Sequence, residues 1–302
     1  MLFKEINIDS YKELRPFFDL ANYEACEYCF TTLYMWRDVY NTNYYINDDF
    51  AIIVGEYEGD RFSVLPLASK ENMPKAIKFM VEYFKKEDKR IYLRAVTKEV
   101  VEHLSEEYPG KFNYIEERDY FDYVYDGESL RTLAGRKNQK KRNHLNYFLK
   151  EYEGRYKYKT LNKEDFDECI DMLKSWMKDK ESQSADDGID DEFVGIKKIF
   201  DNYDILSEDV KVGGVYIDGK LEAFSIGEKL TDNMVVVHIE KANAEIRGLY
   251  PYINQQFLVN ENKLTLQTIA MIGEDLGIEG LRKAKLSYHP CRFVEKYTVV
   301  EA

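Results

Sequence analysis

Two β-rich stretches with glycine-containing turns, one in each half of the chain, limit the folds that it can adopt. In the first half, residues 50–67 form two β-rich runs around a turn at 58–60. In the second half, residues 210–226 do the same around a turn at 218–219. Runs of this kind around a short turn with glycine predict a β-hairpin. Because the two turns lie about half a chain apart, the sequence predicts a duplicated unit.

The segments before and after the two hairpins also correspond between the halves of the chain. Residues 74–84 carry apolar side chains at helical spacing and lead to a predicted strand at 91–96. Residues 250–259 lead in the same way to a predicted strand at 264–270. Helical segments are predicted to open the two halves, at residues 10–39 and 163–180. We therefore predict an α+β protein of two tandem domains, each a mixed, mainly antiparallel sheet flanked by helices.

The boundary between the two predicted domains follows a predicted strand at 120–125. We place the N-terminal domain at residues 1–130, and the basic connecting helix with the C-terminal domain at 131–302. Apolar side chains at helical spacing define the buried face of this helix, namely Leu145, Phe148, Leu149 and Tyr152. Most of its positive residues would then face solvent.

The distribution of charge narrows the choice of partner. The 302-residue chain has a formal net charge of −13, which argues against broad binding to nucleic acid or to anionic membranes. Residues 131–150 nevertheless contain seven Lys or Arg and no acid, which favours directed contact with one anionic partner. Alternatively, these cations face solvent or pair with the acidic segment 181–192. No run is long enough for a membrane helix and no signal peptide is evident, so we expect a cytoplasmic protein.

The four cysteines fit a reducing compartment. Cys26 and Cys29 form the only close pair, and a zinc site would need a second pair of ligands at regular spacing. We weigh metal binding or redox chemistry against packing of reduced thiols, favour packing, and predict no metal site.

The segment 273–290 combines acids, glycines and bases near the chain end. Glu274 and Asp275 precede a predicted helix at 278–286 that carries Arg282, Lys283 and Lys285. A chain end that only frays does not need this composition. The alternative is a solvated last helical turn, where cations complement the helix dipole.

Three segments, 136–143, 237–242 and 274–285, resemble a bacterial family similar to the C-terminal catalytic domain of phosphatidylglycerol lysyltransferase. The resemblance implies two tandem folds of the GCN5-related N-acetyltransferase type, which also occur in Fem-type aminoacyltransferases. In Fem-type proteins a Gly-Leu-x-x-x-Lys pattern supplies a positive charge beside the reacting carbonyl. The matching residues here are 280–285, so the resemblance implies that Lys285 stabilises the oxyanion.

The resemblance also bears on the acyl donor. The loop that holds the pyrophosphate of coenzyme A in the wider fold corresponds to residues 243–250. This chain keeps Arg247 and Gly248 but lacks the second glycine, and Glu245 would repel a phosphate. Fem-like enzymes use aminoacyl-tRNA and tolerate the loss of that loop, so aminoacyl-tRNA is favoured over acetyl-CoA as the donor.

Alternating residues on the predicted strand around 235–240 place His238 and Glu240 on one face. Either side chain could take the proton of the attacking group, or Glu240 could pair with Arg282 or Lys285 and brace the strand. The predicted substrate-binding residues are Arg282, Glu274, Asp275, Arg247, Gly248, Tyr250 and Tyr288. The predicted contacts to tRNA or phosphate are Arg136, Lys137, Lys140, Lys141 and Arg142.

Three functions remain open from the sequence. The first is transfer of an aminoacyl group from aminoacyl-tRNA to an amine or hydroxyl on a small molecule or lipid headgroup. The second is N-acetylation with acetyl-CoA. The third is ligand binding without catalysis in the groove between the domains, because a fold alone does not fix a function.

Overall fold

A computed structural model describes residues 2–181, 188–261 and 269–302. The chain divides into two compact units, and each unit uses separate stretches of sequence. The first unit comprises Met1–Asp122, Glu274–Gly277 and Phe293–Ala302, and the second comprises Tyr123–Gly273 and Ile278–Arg292.

The first unit is a mixed sheet with helices. Its helices are α1 (Ser10–Ala21), α2 (Phe30–Met35), α3 (Met73–Lys86) and α4 (Lys98–Glu107). Its strands are β1 (Lys4–Glu5), β2 (Asn43–Ile46), β3 (Phe50–Tyr57), β4 (Asp60–Ser63), β5 (Leu67–Ala68), β6 (Tyr92–Thr97), β7 (Phe112–Glu116) and β15 (Lys296–Glu301). The strand order is β1-β2-β3-β4-β6-β15-β7, with β5 paired to β3.

The second unit also contains a mixed sheet with helices. Its strands are β8 (Asp122–Asp126), β9 (Tyr156–Thr160), β10 (Val210–Ile217), β11 (Lys220–Thr231), β12 (Met234–Ala242), β13 (Ile269–Ile272) and β14 (Arg292–Val294). The helices of the second unit are α5 (Gly127–Thr132), α6 (Gln139–Glu151), α7 (Phe166–Glu181), α8 (Ile189–Asp201), α9 (Tyr203–Leu206), α10 (Leu249–Asn260) and α11 (Glu279–Leu286). The strand order is β9-β10-β11-β12-β13-β8-β14.

Seven strands of the first sheet correspond in order to the seven strands of the second, and β5 has no counterpart. In each sheet, a helix joins two parallel strands, α3 between β4 and β6 and α10 between β12 and β13. This pairs the β3–β4 hairpin with β11–β12, one strand later than the sequence prediction, which had paired it with β10–β11. Both second-half hairpins have similar strands, so the local pattern did not fix the register of the repeat. The α+β fold with two tandem acyltransferase-like domains is confirmed.

The division into two units differs from the predicted single boundary at residue 130. The C-terminal strand β15 lies between β6 and β7 in the first sheet, whereas β8 lies between β13 and β14 in the second. A single cut in the sequence cannot describe this arrangement, because the last residues of the chain return to the first unit.

The connecting helix α6 packs in the second unit as predicted. Leu145 and Phe148 are buried, and Leu149 and Tyr152 are partly buried against the same cluster, which includes Ile253 of α10. This packing fixes the second half of α6 against α10 and the second sheet.

Two predicted segments fall partly outside the described residues. The strand expected at 264–270 is described only from Ile269, where β13 begins, and residues 182–187 of the acidic segment are likewise not described. Within the described ranges, no helix has the length and apolar character that crossing a membrane requires.

Candidate functional site

The carboxyl group of Glu240 is the centre of a charged cluster in the second unit. Glu240 is half-buried on β12, and Asn254 Nδ2 on α10 donates a 2.9 Å hydrogen bond to its Oε2. Burial raises the pKa of Glu240 to about 7, and the hydrogen bond and the nearby ammonium groups of Lys285 and Lys141 oppose this only in part. A carboxyl group with a pKa near neutrality can accept and return a proton, which general acid–base catalysis requires.

Lys285, on α11, is held on two sides. Its Nζ donates a 2.8 Å hydrogen bond to the carbonyl oxygen of Gly273, and its own carbonyl accepts a 3.0 Å bond from the hydroxyl of Tyr125. The ammonium group also acts electrostatically on Glu240. The structure therefore brings together two of the predicted catalytic residues, and a fixed ammonium is suited to stabilise developing negative charge.

Lys141 belongs to the same cluster. Its Nζ lies 3.6 Å from the ring centroid of Tyr288, which is also among the predicted residues. Burial lowers the pKa of Lys141 to about 8, while Glu240 opposes the shift. Burial also raises the pKa of Tyr288 well above its usual value. Lys141 is thus half-buried among these groups and is set apart from the exposed cations of α6.

The rest of the basic segment has two kinds of environment. Arg136, Lys137 and Lys140 are exposed. Arg142, in contrast, donates to the carbonyl oxygens of Leu133 and Gly135, so its guanidinium stabilises the turn before α6. Phosphate contact by these residues stays a prediction, and the exposed three are the side chains available for it.

His238, the second candidate base, is paired with a neighbouring strand. Its Nε2 lies 2.8 Å from Oε1 of Glu228 on β11, and the two side chains are only 5% and 6% exposed. A buried carboxyl beside one ring nitrogen fixes the orientation of the imidazole. A catalytic role for His238 stays a prediction.

Gly248 directly precedes α10 as its N-cap residue, in a conformation that requires glycine. Its φ is +89°, and a Cβ at this position would lie 2.1 Å from the carbonyl oxygen of His144 on α6. The close approach of α6 to the start of α10 thus depends on the missing side chain. Arg247 lies beside it, with its guanidinium 4.6 Å from the ring centroid of Tyr147 on α6.

The loop before α10 uses its own backbone donors. The N–H groups of Glu245 and Ile246 donate to the side chain and the carbonyl of Asn243, at 3.0 and 3.2 Å. Amide groups engaged in this way are not directed at a pyrophosphate. This local geometry agrees with the departure of the loop sequence from the coenzyme A pattern.

Two further predicted residues, Tyr250 and Arg282, lie on helices of the second unit. The hydroxyl of Tyr250 accepts a 3.4 Å hydrogen bond from Nε1 of Trp176, and burial raises the pKa of Tyr250. Arg282 is half-buried on α11, three residues before Lys285.

Glu274 and Asp275 do not belong to the unit that contains Lys285. Both lie in the first unit, where Oε1 of Glu274 is 2.8 Å from Nζ of Lys296 and Oδ2 of Asp275 is 3.3 Å from Nη1 of Arg118. The chain passes between the two units within this short segment, and a shared site of these acids with Lys285 stays a prediction.

Sequence reasoning missed a second cluster, around Lys296 in the first unit. Lys296 is 1% exposed, and its Nζ lies 2.8 Å from both Glu27 and Glu274 and 3.0 Å from Asp122. Burial disfavours the charge, but these groups outweigh it and raise the pKa of Lys296 well above its usual value. Burial also raises the pKa of Glu274 to about 8. Because its partners come from three distant segments, no local signal marked this lysine.

The thiol of Cys26 borders the Lys296 cluster. Its Sγ is 3.5 Å from Nζ of Lys296, and burial raises the pKa of the thiol well above its usual value. Cys26, Glu27 and Glu274 could offer ligand atoms within 4.8 Å of one another, although the Lys296 ammonium binds both carboxylates. All four cysteines are free thiols.

Comparison with known proteins agrees with this fold. The profile of the family "Phosphatidylglycerol lysyltransferase, C-terminal" matches residues 18–300. The crystal structure of a conserved protein of unknown function from Bacteroides thetaiotaomicron is 30% identical and superposes with a TM-score of 0.91 over 99% of both chains. FemX superposes with a TM-score of 0.63 at 10% identity, covering 99% of this chain and 97% of FemX, and this likeness shows the fold.

The match to a curated relative covers less of both chains. An uncharacterised protein of Mycoplasmoides gallisepticum is 28% identical over 180 residues, which are 59% of this chain and 55% of that protein. The chain therefore matches about half the length of this relative. With a family profile that spans nearly all of its residues, the chain belongs to the family of the phosphatidylglycerol lysyltransferase C-terminal domain.

Proposed function

We propose that this protein transfers an aminoacyl group from aminoacyl-tRNA to an amine or hydroxyl acceptor, with the chemistry at the Glu240 cluster. The observation that carries the proposal is a half-buried carboxyl with a pKa of about 7, flanked by two lysines. Two lysine ammonium groups beside one proton acceptor match the needs of an ester aminolysis or transesterification.

In the proposed reaction, the acceptor nitrogen or oxygen attacks the ester carbonyl of the aminoacyl group. The Glu240 carboxylate takes the proton of the acceptor, and the Lys285 ammonium stabilises the negative oxygen of the tetrahedral intermediate. The bond to the ribose oxygen of the tRNA then breaks, and the protonated Glu240 returns its proton to that oxygen. The new amide or ester and a free tRNA hydroxyl result, so atoms and protons balance.

Two observations favour the aminoacyl donor over acetyl-CoA. The backbone N–H groups of Glu245 and Ile246 donate hydrogen bonds to Asn243 within the same loop. The loop also lacks the second glycine of the coenzyme A pattern. The exposed cations Arg136, Lys137 and Lys140 offer a small surface for tRNA phosphates. The name of the matching family, a phosphatidylglycerol lysyltransferase, makes a lipid headgroup a reasonable first acceptor to test.

Glu240→Gln tests the proposal, because glutamine keeps the acceptor for Asn254 but cannot take a proton. The assay follows transfer of label from total tRNA charged with radioactive amino acids to phosphatidylglycerol vesicles, to soluble primary amines or to water. We expect the variant to lose about 10²- to 10⁴-fold of the wild-type rate. The wild-type rate should rise with pH and level off above about 7, since the base must be ionised.

Glu222→Gln is the matched control. Oε2 of Glu222 also accepts a 2.9 Å hydrogen bond from an asparagine, Asn243, but Glu222 lies outside the Glu240 cluster. Its rate should stay within about twofold of the wild type. The proposal is wrong if no acceptor takes label from charged tRNA in a protein-dependent manner, and transfer from labelled acetyl-CoA would establish the second function.

A further inference from the structure

The guanidinium of Arg94 in the first unit is surrounded by aromatic rings. Arg94 is half-buried on β6, and its Cζ lies between 5.2 and 5.9 Å from the centroids of four rings. The rings belong to Phe62 on β4, Tyr57 at the end of β3, Tyr120 after β7 and Tyr40 after α2. These five residues are called the Arg94 aromatic cluster below.

The register of the first sheet explains how the cluster forms. β4 and β6 run parallel, in a register that places Phe62 and Arg94 on the same face. Gly55 on β3 lies opposite Phe62, and a Cβ there would be 2.6 Å from the Phe62 ring and 3.0 Å from the carbonyl oxygen of Tyr40. The bare backbone at Gly55 therefore allows these rings to pack closely beside Arg94.

The charge of Arg94 has no carboxylate bound to it. Within residues 2–181, 188–261 and 269–302, Arg94 forms no hydrogen bond and no ion pair. Glu274 acts electrostatically on Tyr40 and Tyr120, but it is bound by Lys296. Aromatic rings can cover the faces of a guanidinium, whereas its five N–H donors point outward in its plane. These donors can therefore bind an anion.

Two of the rings are accessible from solvent. Tyr57 is 45% exposed and Tyr120 is 38% exposed, and the centroid of each ring lies 5.7 Å from Cζ of Arg94. The hydroxyls of both residues form no hydrogen bond in the part of the chain that the structure describes. Exposed aromatic rings beside a cation are suited to stack a planar group that also carries a negative charge.

The composition of the cluster narrows the class of ligand. An empty aromatic cage binds a cation, but here Arg94 itself takes that place. An inorganic anion would leave the rings of Tyr57 and Tyr120 uncovered, and an uncharged ring would leave the N–H donors of Arg94 unpaired. A nucleoside phosphate supplies both a planar base and an anion, and one molecule can span the distance between them.

We propose that the Arg94 aromatic cluster binds a nucleoside 5′-phosphate. The base stacks on Tyr57 or Tyr120, and the phosphate accepts hydrogen bonds from the Arg94 guanidinium. The nucleotide is a free metabolite or the end of a single-stranded RNA. This inference does not rest on the proposed function, because the cluster belongs to the first unit and Glu240 to the second.

The first test compares three ligands on the wild-type protein by isothermal titration at pH 7.5. They are adenosine 5′-monophosphate, adenosine and inorganic phosphate. We expect the monophosphate to bind with a Kd of about 1 mM or below, and each of the other two to bind about tenfold more weakly or worse. Adenosine keeps only the stacking contact and inorganic phosphate keeps only the contact with Arg94.

Variants separate the two contacts. Arg94→Met keeps an apolar stem but removes the N–H donors, so the affinity for the monophosphate should fall about tenfold and that for adenosine should not change. Tyr57→Leu combined with Tyr120→Leu removes the stacking rings, and should weaken the monophosphate and adenosine alike by about tenfold.

Arg155→Met is the matched control. Arg155, in the second unit, also lies over a tyrosine ring, with its Cζ 5.4 Å from the centroid of Tyr152. Its guanidinium is paired with Asp218 and is therefore not available to a ligand. The affinity of this variant for the monophosphate should equal that of the wild type. Urea unfolding of each variant checks that it is folded.

The outcomes decide the site and the source of its ligand. Binding of the monophosphate no tighter than that of adenosine or phosphate, or no binding at several millimolar, overturns the site without use of any variant. Equal losses in Arg94→Met and Arg155→Met also overturn it. A single-stranded oligoadenylate that binds more tightly than the monophosphate supports the site and identifies an RNA end as the source. Weaker binding of the oligonucleotide supports the site and identifies a free nucleotide.

Discussion

The clusters around Lys296 and Glu240 contain the same kinds of group but hold them differently. In the first unit, the Lys296 ammonium lies within 3.0 Å of three carboxyl groups and is 1% exposed. In the second unit, Glu240 is half-buried, and its hydrogen bond comes from a neutral amide. Direct ion pairing satisfies the charge at Lys296, whereas Glu240 keeps a pKa of about 7.

This difference separates a structural ion cluster from a site prepared for proton transfer. A buried ammonium bound by carboxylates stays charged at all ordinary pH values, as the raised pKa of Lys296 indicates. Burial also raises the pKa of Glu274 to about 8, but the Lys296 ammonium binds this carboxyl directly. The hydrogen bond to Glu240 comes from a neutral amide, which leaves Glu240 as the carboxyl suited to exchange a proton near neutral pH. The comparison predicts that mutation of the first cluster affects folding, and mutation of the second affects chemistry.

Lys296→Met should give the largest effect on stability. The variant leaves the buried Asp122 and the half-buried Glu27 without their cation, and breaking a buried ion pair on one side costs about 3–5 kcal/mol. The measurement is urea unfolding at pH 7. Lys98→Met is the control, because Lys98 forms a 3.2 Å ion pair with Glu295 but is 59% exposed, and should cost about 1 kcal/mol or less. Similar losses in the two variants would remove the contrast between the clusters.

Lys285→Ala tests the other side of the comparison. Loss of the ammonium should lower the rate of transfer from charged tRNA by about 10²-fold, because the oxyanion loses its fixed positive charge. The free energy of unfolding should fall by only about 1 kcal/mol, for the hydrogen bond to Gly273. Lys283→Ala, an exposed lysine on the same helix, should change neither quantity. A loss of stability as large as that of Lys296→Met would make Lys285 a structural residue.

The two clusters also show what sequence could and could not predict. The β3–β4 hairpin, the helix α10 and the buried face of α6 follow from turns and periodicity, which are local. Glu240 was found because alternation along the predicted strand around 235–240 places it on one face with His238. The pairing of Lys296 with Glu27 and Asp122 depends on the position of β15 between β6 and β7, which is a long-range choice.

Glu274 illustrates why the candidate site was only partly predictable. It lies eleven residues before Lys285 in the sequence, and the composition of that segment suggested one site. The fold assigns Glu274 to the first unit and Lys285 to the second.

The smallest expected effect concerns the exposed cations near α6. Unlike the lysines of the two clusters, Lys137 and Lys140 face solvent. Lys137→Ala combined with Lys140→Ala should leave stability unchanged and weaken tRNA binding only a few fold. The more specific consequence is in salt dependence, since each lost phosphate contact lowers the slope of log affinity against log salt by about 0.7–0.9.

Binding of uncharged tRNA at several salt concentrations measures this slope. The double variant should have a slope shallower by about 1.5, the sum of two contacts. Lys150→Ala combined with Lys157→Ala removes the same charge from two other exposed positions, and should leave the slope unchanged if contact is confined to the start of α6. An equal loss in both double variants would mean that tRNA responds to the overall charge of the surface. In that case, Arg136, Lys137 and Lys140 would not form a defined contact, and the position of tRNA would have to be set by the aminoacyl end at Glu240.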